Sequence, residues 1–82
     1  MIEEILEPIK VLASFSEGKM MPCFFSWRKR RYRVAEVTGW WSDYEGEAKR
    51  FFFSVLTDGV NLYEISFHTR TLNWELLRIH HE

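Results

Sequence analysis

One cysteine and three histidines are the residues of this sequence that could support nucleophilic catalysis. Cys23 with His68, His80 or His81 would supply a thiolate and an imidazole. Alternation along the chain places Cys23 on the same strand face as Phe25, which predicts a buried and unreactive thiol. We therefore expect a protein that is not an enzyme.

Metal and cofactor sites are equally weak in the sequence. Adjacent residues on a strand point in opposite directions, so His80 and His81 cannot chelate one ion together. The acidic stretch with Asp43, Glu45 and Glu47 lacks the spacing of a calcium loop. There is no glycine-rich phosphate loop and no dinucleotide fingerprint. We expect no metal and no cofactor.

The strongest chemical feature is a basic segment between Phe25 and Val34. Five of the eleven basic residues fall within six positions, although the net charge is -1. They are Arg28, Lys29, Arg30, Arg31 and Arg33. If Trp27 pairs with Tyr32 across a hairpin, Lys29 and Arg30 form its turn and Arg28 lies opposite Arg31. Facing like charges and a positive φ at Lys29 are local penalties, and such conflicts are frequent at functional sites.

Two interpretations of this segment remain open. In the first, the hairpin binds the phosphates of single-stranded nucleic acid while an aromatic ring stacks on a base, or it binds an acidic protein. In the second, the arginines protect an edge strand and pair with the chain's own carboxylates. The carboxylates expected as partners are Glu36, Asp43, Glu45 and Glu47. The sequence pI of about 6.3 lacks the basic footprint of most nucleic-acid-binding domains.

The pair Trp40 and Trp41 is the second candidate binding feature. The two indoles point to opposite faces of a strand, so one of them is expected at the surface. An exposed tryptophan is either a binding anchor or a cover for one end of the core. Trp41 or an exposed edge strand would also serve a homodimer.

Size and composition indicate one domain over residues 1–82. Seven Phe, four Trp and three Tyr compensate for the small core of so short a chain. The single cysteine excludes an internal disulfide, and no long apolar run or signal-peptide pattern is present. We expect a soluble, cytoplasmic protein that does not bind membranes.

The N-terminal segment fits two patterns. Helical spacing is shown by Ile2, Ile5, Leu6 and Ile9. The alternation of a strand is shown by Ile9, Val11, Ala13 and Phe15. Because proline disrupts a helix, Pro8 predicts a segment 1–8 that allows a short helix, followed by a sheet over 9–80.

The remaining chain alternates as short strands separated by turns. Glu17 and Gly18 predict a turn before a second strand. A third strand is expected to carry a bulge near Ala35 or Glu36 and to end at Gly39, followed by a polar connection over 40–49.

The turn signal Asp58–Gly59 separates two more strands. A three-residue loop with Gly59 in the left-handed region places Phe51, Phe53 and Val55 on one face with Tyr63, Ile65 and Phe67. A last strand points Trp74, Leu76 and, after a slip of phase, Ile79 inward. We predict an all-β domain of about six antiparallel strands in meander order, forming a strongly bent sheet or small barrel.

Scattered aromatic and structural positions between residues 9 and 79 also carry a family resemblance. These are Phe25, Trp27, Arg28, Arg30, Tyr32, Arg33, Val34, Val37, a tryptophan at 40 or 41, Phe53, Val55, Gly59, Tyr63, Glu64, Trp74, Leu76, Arg78 and Ile79. The pattern resembles a family of small bacterial domains of unknown function. It is similar to the domain that ends the non-catalytic, Y-family-polymerase-like subunit of the bacterial mutagenesis complex. Lys29 departs from the family, which usually has glycine in this turn.

The resemblance implies an accessory module near DNA repair or replication and supplies no catalytic residue. Combined with the basic segment, it predicts a non-catalytic interaction module. The expected partner-binding residues are Arg28, Lys29, Arg30, Arg31, Arg33, Trp40 and Trp41. The alternatives are a self-associating structural domain and a barrel that binds a small ligand.

Overall fold

The computed structural model describes the whole chain, from Met1 to Glu82, as one antiparallel sheet of seven strands. The strands are β1 (Ile2–Ser16), β2 (Lys19–Trp27), β3 (Arg30–Arg33), β4 (Glu36–Glu45), β5 (Ala48–Leu56), β6 (Leu62–His68) and β7 (Asn73–His80). Their order in the sheet is β3-β2-β1-β7-β6-β5-β4. The all-β class is confirmed. The predicted meander order is corrected at one place. Strands β3 and β4 follow each other in the chain but lie at opposite edges of the sheet, and β1 pairs with β7, which joins the run β1–β3 to the run β4–β7.

The first strand changes its neighbour along its length. Residues 2–9 pair with β7, residues 10–16 pair with β2, and Leu6 with φ of 55° lies at a bulge in the β7 pairing. The proposed N-terminal helix over 1–8 is therefore wrong. Pro8 is tolerated within the strand because this part of β1 pairs with β7 alone, and the pairing with β2 begins at Lys10. On the unpaired side of β1 there is no neighbouring strand to which a backbone N–H would donate, so the missing N–H of proline breaks no hydrogen bond there.

A second change of neighbour replaces the predicted bulge near Ala35. β3 pairs with β2, β4 pairs with β5, and two residues connect them. The Val34 N–H donates to the Cys23 carbonyl and the Ala35 N–H to the Leu56 carbonyl, both at 2.8 Å. The predicted end at Gly39 is wrong, and so is the polar connection over 40–49. This stretch forms most of β4, a tight turn at residues 46–47 and the start of β5.

The register of β5 and β6 is the predicted one. Val55 pairs with Tyr63 and Phe53 pairs with Ile65, which places the aromatic and aliphatic side chains on one face. The loop spans residues 57–61, and Gly59 does not have a positive φ, so the left-handed bulge is wrong. The predicted slip of phase before Ile79 is confirmed by a register shift between β6 and β7.

The hydrophobic core lies on the concave face of the bent sheet. Its eight buried residues are Ile9, Phe25, Phe53, Val55, Tyr63, Ile65, Leu76 and Ile79. The sheet is not closed into a barrel: the connection at Val34 and Ala35 joins its two edge strands at one corner, and no strand pairing links them beyond it. This leaves one side of the concave face open. The chain forms no helix that is long and apolar enough to cross a membrane.

Candidate functional site

The basic segment forms the hairpin between β2 and β3, with its turn one residue earlier than expected. Trp27 pairs with Arg30, so Arg28 and Lys29 form the two-residue turn. Their φ values are 51° and 65°, the left-handed conformation that a tight hairpin turn of this type requires. The positive φ expected at Lys29 is confirmed. The predicted pairing of Arg28 with Arg31 is wrong, because Arg31 lies opposite a serine of β2.

Glu7 of β1 fastens the turn to the rest of the sheet. Its Oε1 accepts a hydrogen bond from Trp27 Nε1 at 2.8 Å, and its two oxygens accept from Arg28 Nε at 3.2 Å and Arg28 Nη2 at 2.7 Å. The hydrogen bonds from Arg28 and then from Trp27 lower the pKa of the Glu7 carboxyl below its usual range. The Arg28 guanidinium also lies 4.5 Å from the Trp27 ring centroid. Arg28 and Trp27 therefore hold the hairpin in place.

Three cations of the hairpin have no carboxylate partner. Arg33 is bound to Asp58 at 3.2 Å, but the structure contains no ion pair for Lys29, Arg30 or Arg31. The Arg30 guanidinium lies 5.9 Å from the Tyr32 ring and that of Arg31 lies 4.3 Å from the Phe24 ring. These contacts orient the two arginines and leave their charges exposed to solvent.

The acidic residues expected to neutralise the hairpin do not do so. Asp43 and Glu45 are bound instead by Arg50 of the neighbouring strand, at 2.8 and 3.3 Å. Glu36 and Glu47 form no ion pair at all. The pairing predicted between the basic segment and these four carboxylates is wrong, because β3 and β4 diverge beyond the corner that joins them.

The aromatic rings of the hairpin pack within the domain. Tyr32 stacks on Phe25 with centroids 4.9 Å apart and lies 5.4 Å from Tyr63. The Trp27 indole is covered by Arg28 and bound through its N–H to Glu7. Neither ring presents a free face for a nucleic-acid base. The hairpin is therefore an electrostatic surface rather than a stacking platform.

Trp40 and Trp41 lie on opposite faces of β4, as predicted. Trp41 is on the convex face, where it stacks on Phe52 with centroids 5.4 Å apart and planes 4° apart. Trp40 is on the concave face, opposite Phe53, and is 63% exposed. Both tryptophans are exposed, so the prediction that one of them would be at the surface is corrected, and they lie on different faces of the sheet.

Trp40 lines an open cleft of about 610 Å³ on the concave face. The other lining residues are Phe15, Ser16, Glu17, Gly18, Lys19, Met20, Met21, Phe51, Phe53, Phe67 and Thr69. The tip of the β1–β2 hairpin forms one wall and strands β4 to β6 form the other. Sequence reasoning named the inward aromatic residues of β5 and β6 and the alternation that reaches Phe15, but it did not bring these residues together in one cleft.

The predicted binding residues do not form one surface. The basic turn follows Trp27 at one end of β2, whereas Lys19 at the other end lines the cleft beside Trp40. Nine residues of strand span roughly 30 Å. The basic hairpin and the tryptophan cleft are therefore separate candidate sites.

The remaining titratable residues are dispersed. Cys23 is an extra residue at a bulge in β2 and is half-buried, so the prediction of a buried thiol is wrong. His80 Nε2 lies 3.2 Å from Glu64, and His81 Nε2 lies 2.8 Å from Glu3. No group of three or more histidine, cysteine, aspartate and glutamate side chains is placed to hold a metal ion.

Comparison with known protein families gives a match over nearly the whole chain. Neither a search among curated proteins nor a search among solved structures returned a match for this chain. The family described as a domain of unknown function, DUF6504, matches residues 1–81. Its description carries no reference to a mutagenesis complex or to nucleic acid. Because the match covers nearly the whole sequence, the chain belongs to the DUF6504 family of domains of unknown function.

Proposed function

We propose that this protein is a non-catalytic interaction module whose β2–β3 hairpin binds an acidic partner. The observation that carries the proposal is that Lys29, Arg30 and Arg31 have no internal carboxylate partner on a hairpin that is otherwise firmly held. Unpaired like charges within a few residues raise the free energy of the isolated domain. An anionic partner would remove that repulsion.

An acidic protein segment is the partner that the geometry favours. β3 is an edge strand, hydrogen-bonded to β2 alone, so its outer edge offers backbone groups to an added strand. An extended acidic peptide would use these groups for affinity and the arginines for selectivity. The packed rings of Trp27 and Tyr32 favour this choice over base stacking.

Single-stranded nucleic acid is the second candidate. The planar guanidinium groups of Arg30 and Arg31 suit phosphate oxygens, and binding would then follow the phosphate backbone without reading bases. The resemblance to the end domain of the mutagenesis-complex subunit supports a setting in DNA repair or replication. This candidate predicts a weak, strongly salt-dependent and sequence-independent interaction.

The experiment measures fluorescence anisotropy of a labelled glutamate-rich peptide and a labelled oligothymidine against protein concentration, at several salt concentrations. The test variant is Arg30→Ser with Arg31→Ser. The control is Lys19→Ser with Arg70→Ser, which removes the same charge from unpaired positions outside the hairpin. For the oligonucleotide, losing two phosphate contacts reduces the slope of log affinity against log salt by about 1.4.

The two labelled ligands distinguish the candidates. Peptide binding that is lost only in the hairpin variant supports the acidic protein partner, and the same loss for the oligonucleotide supports nucleic acid. Two results would show that the hairpin is not the binding surface and that the proposal is wrong. The first is that the hairpin variant binds both ligands with the affinity of the parent. The second is that the hairpin variant and the control variant lose affinity to the same extent.

Self-association remains a competing proposal, since Trp41 is 42% exposed and β4 is the other edge of the sheet. The charges oppose it weakly: β4 carries Glu36, Asp43 and Glu45 and no basic residue, and Arg50 of the neighbouring strand neutralises only part of this negative charge. Sedimentation at several concentrations, with and without Trp41→Ser, separates the two cases. A concentration-dependent dimer that the substitution abolishes would favour self-association.

A further inference from the structure

The cleft beside Trp40 exposes two large aromatic side chains. Phe15 is 74% exposed and Trp40 is 63% exposed, and both line the cleft. Exposed aromatic side chains that are grouped in a cleft are typical of binding sites for ligands or partners. The volume of about 610 Å³ falls within the range of small-molecule sites, roughly 300 to 1,000 Å³.

The interior of the cleft is apolar and adaptable. Phe51, Phe53 and Phe67 form its floor, and Met20, which packs against the core, belongs to the facing wall. The unbranched Met20 side chain can follow a ligand of variable shape. The Thr69 hydroxyl is already used, because it donates to the Lys49 carbonyl at 2.7 Å. The floor of the cleft therefore offers a ligand body hydrocarbon rather than hydrogen-bonding groups.

Two lysines without an ion pair lie at the mouth of the cleft. Lys19 lines the cleft and forms no ion pair. Lys49 lies on the same strand face as Phe51, with its Nζ 5.1 Å from the Phe51 ring centroid, and it also lacks a carboxylate partner. Glu17, the one acidic residue of the lining, lies on the exposed turn and offsets the charge of Lys19. The Lys49 ammonium group, which lies beside the aromatic floor, favours an anionic end on the ligand.

We propose that the cleft binds a free fatty acid, with its hydrocarbon chain against the aromatic floor and its carboxylate beside Lys19 and Lys49. The site lies at the opposite end of β2 from the basic hairpin, so this inference does not rest on the function proposed for the hairpin. The ligand needs an apolar chain because the floor offers it no polar partner. It needs one anionic end because the free cations are confined to the mouth.

The experiment is isothermal titration of the full chain with octanoate, decanoate and dodecanoate, all below their micelle concentrations. Each methylene buried adds roughly a fourfold increase in affinity until the cleft is filled. Trp40→Ala removes one wall and should weaken dodecanoate binding at least about tenfold. Trp41→Ala is the matched control: it changes the adjacent tryptophan on the convex face, and we expect less than a twofold effect.

The head group is tested with Lys19→Glu combined with Lys49→Glu, two partly or fully exposed positions at which a charge reversal leaves the core intact. This variant should bind dodecanoate more weakly and dodecyltrimethylammonium more tightly than the parent does. Circular dichroism verifies that each variant is folded. Absence of saturable dodecanoate binding by the parent overturns the proposal. So do equal losses in the Trp40 and Trp41 variants, or equal affinity of the parent for the cationic and anionic chains.

Discussion

Leu76→Ala tests whether the concave face of the sheet carries the stability of the domain. Leu76 is fully buried, pairs with Ile65 and belongs to the eight-residue core. The substitution removes three carbon groups at about 0.8 kcal/mol each, and the cavity left behind raises the loss to about 3 to 5 kcal/mol. A chain of 82 residues has a total stability of roughly 4 to 12 kcal/mol. This one change should therefore remove a large share of it.

The matched control is Leu77→Ala, at the next residue of β7. Leu77 is half-buried and sits at the β6–β7 register shift, where no residue of β6 lies opposite it. We expect a loss below about 1.5 kcal/mol there. Urea unfolding followed by tryptophan fluorescence and circular dichroism measures both, with an unchanged m-value as the sign of an unchanged fold. Equal losses at Leu76 and Leu77 would refute a core that lies on one face.

Three further substitutions test local features. Hydrogen bonds from Arg28 and Trp27 lower the pKa of the Glu7 carboxyl, so the parent should lose stability as the pH falls below about 4.5. Glu7→Gln removes this carboxylate, so the urea midpoint of the variant should change less than that of the parent between about pH 5 and pH 3. Lys29→Gly relieves the positive φ of 65° and, after the entropy cost of glycine, should stabilise the domain by about 0.5 to 1 kcal/mol, measured by thermal unfolding; a loss of stability would contradict the turn geometry. Burial raises the pKa of the Tyr63 hydroxyl above 10.0, so stability should fall as pH rises from about 10, and Tyr63→Phe should reduce that fall; an identical alkaline limb in both proteins would contradict the assignment.

The parts of the fold that follow from local alternation could be predicted from the sequence. The β5–β6 register follows from placing Phe53 and Val55 on one face with Ile65, because a slip of one residue would expose the entire set. The phase change before Ile79 follows by the same reasoning, since Leu76 and Ile79 are both fully or nearly fully buried. In these segments, one face meets the core and the other meets solvent, so sequence alternation and burial agree.

The parts that failed depend on contacts distant in sequence. Pro8 argued for a break at residue 8, but pairing of β1 with the last strand of the chain overrides that local signal. A single bent strand was expected across Ala35, yet its two halves belong to opposite edges of the sheet. The inward side chains Val34 and Val37 show only that the alternation slips between them. A bulge explains that slip as well as a change of hydrogen-bonded neighbour does, so the sequence pattern cannot distinguish the two.

The candidate sites show the same division. The clustering of Arg30 and Arg31 and the opposed faces of Trp40 and Trp41 could be deduced from adjacency alone. The ion pair between Arg28 and Glu7 could not be deduced in this way, because the two residues are 21 positions apart and meet only in the folded sheet. This contact turns part of the apparent binding cluster into a structural element.

The two proposed sites lie at opposite ends of β2, which makes their independence a testable consequence. Coupling between sites requires an element with two arrangements that both ligands bias. The core residues Phe25 and Ile9 lie between the sites and are closely packed, and neither of them lines the cleft. Trp40→Ala should therefore leave the affinity of the hairpin for the peptide or oligonucleotide within about twofold of the parent value. Saturating dodecanoate, added to the parent protein, should also change that affinity by less than about twofold. A larger change in either case would show that the cleft and the hairpin are coupled, so that binding at one site alters the affinity of the other.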